Sequence, residues 1–208
     1  MFRSTAMVTV TVFALMGGVA RGENSDTQPP PGKVVKQAFS PMAVVRSAAG
    51  AGVSQATNTP SQWGQGAAGY GRRVGSGFAG HLVKVGIQYP LARLMHEEFG
   101  YHRSNKQGFK ARLFYALEAV VITHKTTTEK ATVSTSELSG AFGAGLISRL
   151  WQPASTKGVL HGFAAGGIML AADAGGNVVR EFWPEIRHPH RHAAQPASSQ
   201  SAQPAPVQ

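Results

Sequence analysis

SELSGAFGAGLIS at residues 136–148 and GVLHGFAAG at residues 158–166 decide the fold. In the second stretch Gly158, Gly162 and Gly166 recur at every fourth position, and in the first Gly140, Ala144 and Ser148 do the same. Positions i and i+4 share one face of a helix, so each row is a groove with little or no side chain in it. A glycine inside a helix costs roughly 1 kcal/mol relative to alanine. A run of them is explained when the missing side chains admit a neighbouring helix. A third row, Gly71, Gly75 and Ala79, lies upstream, with Trp63, Tyr70, Val74, Phe78, Leu82 and Val85 on the adjoining faces. The three rows predict an all-α fold, a compact bundle of about five helices held by Gly/Ala-rich close contacts, with disordered N- and C-terminal arms.

Working outward, start and stop signals place the helices near 60 to 88, 90 to 99, 108 to 123, 135 to 150 and 157 to 182. Thr59, Pro60 and Gln62 read as a cap, a first helical residue and a capping-box partner. Pro90 lacks an amide hydrogen and restricts Tyr89, which predicts a break there; Gly100 is the expected stop. Phe109, Leu113, Phe114, Leu117, Val120 and Val121 recur at helical spacing. The Thr-rich run from His124 to Lys130 reads as a loop or short hairpin returning through Thr132, Val133 and Ser134. Ser134 and Glu137 repeat the capping-box spacing, Pro153 ends that helix, and Pro184 is expected to end the next.

Both ends are too polar and Pro-rich to belong to this core. Residues 1–22 read as a secretory signal: Arg3, an apolar run, and small residues Ala20 and Gly22 before a cleavage site, with a cut after Ala20 as the alternative. The run is shorter than the ~20 residues that span a bilayer. Residues 23–58 read as a flexible low-complexity arm in which Pro41 interrupts a short docking segment around Val34 to Val45. Residues 59–187 form the helical domain and 188–208 a disordered tail. The 208-residue chain has no cysteine, which excludes disulfides and thiolate metal sites. Its net charge of +10 falls to +8 without residues 1–22, because Arg3 and Arg21 leave and no acid does. The cations are dispersed, and no nucleic-acid module accompanies them.

With these pieces placed, the chain resembles a family of uncharacterised bacterial proteins with signal peptides and Gly/Ala-rich helical domains. The likeness rests on Trp63-Gly64-Gln65-Gly66 through Gly75-Ser76, on His96-Glu97-Glu98 with Tyr101 and Arg103, on Gly143-Ala144-Gly145 through Trp151 and Pro153, and on Asp173-Ala174-Gly175 through Glu181-Phe182-Trp183-Pro184. It covers residues 59–187. Phe99 and Gly100 stand where the family pattern has Pro and Arg, and His102 where it has an aromatic residue. The resemblance implies a domain boundary and no activity.

Few residues carry chemistry. A zinc-hydrolase motif needs two histidines four residues apart with Glu as base; after His96-Glu97 the next histidine, His102, is six positions on, beyond Gly100. His96, Glu97 and Arg103 read instead as a polar group around a helix C-terminus. Asp173, Asn177 and Arg180 stand at i, i+4 and i+7, a polar stripe on an apolar helix in which Asp173 needs a cationic partner; Arg93 and Arg103 are the candidates. His188, His190 and His192 alternate in the tail. Ser76 and Ser148 lack a nucleophile elbow, and the glycines from Gly64 to Gly80 lack the Lys-Ser/Thr ending of a phosphate loop. No cofactor or metal site is expected. The residues point to an exported, non-enzymatic envelope protein, a structural or interaction module whose partner is an envelope protein, an anionic envelope surface or a second copy. A peripheral or partly inserted membrane protein is the second reading, and a hydrolase using His96, Glu97 and Asp173 the third.

Overall fold

A computed structural model describes residues 28–187. The expected signal and the tail with its three histidines lie outside the described residues. Among those described, the chain is mostly helical, with six helices and one two-stranded hairpin. The order is α1 (Pro31–Ala38), α2 (Pro41–Ala56), α3 (Ala67–Met95), α4 (Phe109–Glu118), β1 (Ile122–His124), β2 (Ala131–Val133), α5 (Thr135–Ile147) and α6 (Val159–Arg187), with short 3-10 turns at Ser61–Trp63, Ser148–Leu150 and Ala154–Thr156. Helix α3 is the spine: α1, α2 and α5 pack on it, and α6 packs on α5 and α4.

The small-residue rows do different work from one another. A methyl group on Gly166 would stand 2.9 Å from the Phe142 Cα and 3.1 Å from the Ala141 carbonyl, and one on Gly162 would stand 3.1 Å from the Leu146 Cα. Helices α5 and α6 therefore touch backbone to backbone there. Gly145, outside the three rows, is the tightest point of this contact: a methyl group there would run into the Gly162 carbonyl and stand 2.7 Å from the Gly166 nitrogen. Gly140 faces α3, where a methyl group would stand 3.1 Å from the Lys84 carbonyl, and Ala144 and Ser148 are buried. Gly158 meets only the His161 ring, at 3.4 Å. The upstream row is a correction: Gly71 and Gly75 face open space, and the close approaches on α3 are at Gly69 and Gly80. The small row was read one face away from the one that packs.

The arm is a second correction. Residues 31–56 form α1 and α2, each started by a proline in its first turn, and the Ala43 amide donates to the Ser40 hydroxyl at 3.3 Å. Pro41, read as an interruption, is a helix start. Val34 and Ala38 close a cluster with Val85 and Tyr89, against which Leu82 and Phe99 pack, so this segment is part of the core.

Helix boundaries shifted for local reasons. Gly64 and Gly66 take positive φ, which delays α3 to Ala67. The buried Arg73 guanidinium fixes this connection by donating to the carbonyls of Thr59, Pro60 and Gly64 and to the Gln55 side chain. Helix α3 runs through Pro90 to Met95, because Tyr89 and Ala92 on either side are buried and their packing offsets the lost hydrogen bond. It ends at His96 in the left-handed conformation, four residues before the expected stop. Ile122 and Thr123, expected in a helix, and His124, expected in the loop, pair antiparallel with 131–133, one residue before the return strand expected at Thr132, Val133 and Ser134. Helix α6 continues past Pro184 to Arg187.

Candidate functional site

Lys84 interrupts the apolar run His81-Leu82-Val83-Lys84-Val85 of α3, and its packing against α5 and α6 leaves it only 6 % exposed. A buried ammonium needs anions. The Lys84 Nζ donates to Glu137 of α5 and to Asp173 of α6, Gln88 donates to the second Glu137 oxygen, and Arg46 of α2 lies 3.5 Å from Asp173. Burial works against the Lys84 charge, and Glu137 and Asp173 favour it more, so its pKa stands above the usual value. Lys84 ties α3 to α5 and α6, and Asp173 brings in α2 through Arg46.

A second cluster lies where α6 meets α4. Glu181, 0 % exposed, accepts from the Tyr101 hydroxyl at 2.7 Å, the Ser104 amide at 3.0 Å, the Ser104 hydroxyl at 2.6 Å and the Arg112 Nε at 2.9 Å. Arg112 also donates to Glu185 at 2.6 Å and stacks over the Phe182 ring. Burial pushes the Glu181 carboxyl up, but the hydrogen bonds from Ser104, Tyr101 and Arg112 outweigh it and hold the group at about 2. Burial, and then the bond to Glu181, raise the Tyr101 phenol.

Glu97 builds a third cluster. Its carboxylate accepts from the amides of Thr135 and Ser136, at 3.1 and 2.9 Å, and from the Ser136 hydroxyl at 2.6 Å, so it caps the first turn of α5 from outside the helix. The capping box predicted from Ser134 and Glu137 does not form: Ser134 makes no side-chain cap, and Glu137 is turned to Lys84.

Arg46, Lys84, Glu137, Asp173, Asn177 and Arg180 line one cleft of about 270 Å³, which α1, the 98–101 segment and the end of α4 close on its other sides. Val34, Ala38, Val85, Phe99 and Val120 give it apolar walls. His81 also lines it; burial and then Arg46 lower its pKa, so the ring is held neutral, and its Nε2 has no hydrogen-bond partner among the described residues.

The sequence-predicted network is therefore divided. Asp173 and Arg180 line the cleft. Asn177 also lines it and donates to the Ala116 carbonyl at 3.4 Å. Glu97 belongs to the α5 cap, His96 to the end of α3, and Arg103 is exposed. The partners of Asp173 are Lys84 and Arg46, not Arg93, which donates to the Tyr89 hydroxyl. Glu97 and Asp173 thus serve separate clusters rather than one catalytic set. His102 and His124 both stand beside Glu98, at 3.8 and 3.9 Å, and among the described residues no group of three or more His, Asp or Glu is arranged to hold a metal ion.

The roles of Lys84, Glu137 and Glu181 in these clusters went unrecognised in the sequence. A lone lysine in an apolar run was a signal for Lys84, and Glu181 continues the polar stripe two turns beyond Asp173. Arg46 had no such signal, since it lies in the segment read as an arm. No family model, curated protein or solved structure matches the chain.

Proposed function

We propose that the chain is an exported, non-enzymatic structural module of the cell envelope that associates with a second copy through the outward face of α6. One observation carries the reading: between His161 and Arg180 every exposed position of α6 is apolar or glycine. Leu160 is 82 % exposed and Ile168 70 %, with Phe163, Val179, Trp183 and Ile186 also open to solvent. Eighteen residues between those two polar positions make a stripe roughly 27 Å long at 1.5 Å per residue. Exposed apolar surface of that extent marks an interaction face.

The pattern along the stripe supports a copy of the same helix as its occupant. Phe163, Gly167, Ala171, Gly175 and Val179 follow at four-residue intervals, and Gly167 and Gly175 meet nothing within 4 Å. The order bulky, small, small, small, bulky reads alike in both directions about Ala171. Two antiparallel copies related by a two-fold axis there place Gly167 against Gly175 and let the backbones approach. Export is supported by the signal pattern of residues 1–22.

Sedimentation velocity of the purified protein tests this: a dimer is expected, and Ala171→Glu is expected to give a folded monomer. A monomer for the parent chain at tens of micromolar, or a dimer unaffected by Ala171→Glu, overturns the reading.

Peripheral attachment to an anionic lipid surface is favoured by a different observation. Exposed Phe109, Phe114 and Lys110 on α4, Lys106 just before it, and Trp183 and Arg187 on α6 belong to two helices that pack together, and Arg187 stands over the Trp183 ring. No helix among the described residues is long and apolar enough to cross a membrane.

A further inference from the structure

The cleft between α2, α3 and α6 is lined by Arg46, Lys84 and Arg180 together with Glu98, Glu137 and Asp173, and its ion pairs join only Arg46 and Lys84 to Glu137 and Asp173. Lys84 is satisfied by both carboxylates, and Arg46 shares Asp173. Arg180 has no hydrogen bond or ion pair among the described residues. Partial burial, and then Arg46, disfavour its charge, each more than Asp173 or Glu137 favours it. A guanidinium carries five donors in a planar fork suited to a carboxylate or phosphate, and this one lines the cleft from a position open to solvent, where an entering anion can reach it.

The rest of the lining narrows the ligand. Val34, Ala38, Val85, Phe99 and Val120 present hydrocarbon. A cleft of about 270 Å³ lies below the common range for drug-sized ligands, which begins near ~300 Å³. A cleft of this size and lining has room for a small molecule with one anionic head and an apolar body, not for a nucleotide or an extended peptide.

We propose that the cleft binds a small organic carboxylate, with the carboxylate held by Arg180 and flanked by Arg46, and the hydrocarbon tail lying against Val85, Phe99 and Val120. Binding places a negative charge between two guanidiniums that otherwise repel each other, and so offsets the unpaired cation of the ion cluster. This inference does not depend on the α6 face, which is a different surface of the molecule.

The test uses sodium hexanoate as the probe, hexanol as the probe without a charged head, and inorganic phosphate as the probe without a tail, each titrated into the full-length protein by calorimetry and by two-dimensional NMR. Hexanoate is expected to saturate and to shift the resonances of cleft residues. Hexanol and phosphate are expected to bind at least tenfold more weakly. Arg180→Gln removes a side chain without hydrogen-bonded partners, so it is expected to leave the unfolding midpoint unchanged and to weaken hexanoate at least tenfold, while Arg180→Lys retains part of the affinity. Equal binding of hexanol means that no head group is recognised, and equal binding of phosphate means that no tail is; either overturns the proposal. So does unaltered hexanoate affinity in Arg180→Gln, or shifts confined to residues outside the cleft.

Discussion

Replacing Gly145 by alanine probes the contact on which the bundle depends. The added methyl would stand 2.7 Å from the Gly166 nitrogen, 3.1 Å from the Gly166 Cα and closer still to the Gly162 carbonyl. All three are backbone atoms of α6, so no rotamer change relieves them, and an ordinary contact of 3.4–4 Å requires the helix to retreat. Alanine is the better helix former by roughly 1 kcal/mol, while overpacking a tight contact costs about 1–3 kcal/mol and occasionally more. The backbone nature of the obstruction puts this site at the upper end, so a net loss of about 1–2 kcal/mol is expected. For a domain of this size that is a fall in Tm of roughly 2–8 °C. Gly75→Ala on α3 is the counterpart, since its methyl meets nothing within 4 Å, and a gain of up to ~1 kcal/mol is expected. Gly162→Ala should fall between them, because its nearest obstruction is the movable end of Leu146. Urea unfolding of the three variants gives the order. Equal or raised stability in Gly145→Ala would refute the close approach of α5 and α6.

Other perturbations have equally definite outcomes. Val34→Ala should lose about 2 kcal/mol in urea unfolding from the removed hydrocarbon and the hole left in the cluster around Tyr89, and a fragment of residues 59–187 should lose cooperative unfolding; a stable fragment would mean that α1 and α2 are dispensable. Lys84→Met strands Glu137 and Asp173 and should cost about 3–5 kcal/mol, with much of the loss recovered in a Lys84→Met, Glu137→Leu double variant. Glu181 has a folded pKa of about 2, below its unfolded value near 4.5, so its contribution is present above pH ~5 and lost as the pH falls through about 2. That difference corresponds to about 3 kcal/mol. Glu181→Gln should therefore differ most from the parent at neutral pH and converge with it near pH 2; a constant gap across that range would contradict the assignment.

The legible part of the fold was the part written in small residues and periodic apolar ones. Gly162 and Gly166 pointed to a helix seated against α6, and the polar run from His124 to Lys130 pointed to the hairpin. Boundaries governed by tertiary contact were not legible: Pro90 sits inside α3 because Tyr89 and Ala92 are packed, and Gly64 and Gly66 postpone that helix through positive φ. The amphipathic faces of α1 and α2 are short and rich in Ala and Gly, so composition read them as an arm, although Val34 fills the space beside Val85 and Tyr89. The clusters were half legible for a similar reason. Asp173 announced its need of a cation, but its partners, Lys84 and Arg46, lie 89 and 127 residues away in the chain. Glu137 stood at capping-box spacing and was drawn off to Lys84, leaving the cap to Glu97.

Cell fractionation followed by a carbonate wash of the membranes, with mass spectrometry of the recovered chain, tests most directly whether this is an exported module held by its surface. The account predicts protein in the envelope fraction, lacking residues 1–22 or 1–20, and released by carbonate. Protein confined to the cytosol with Met1 or Phe2 at its terminus, or protein retained in the bilayer after carbonate, would contradict it.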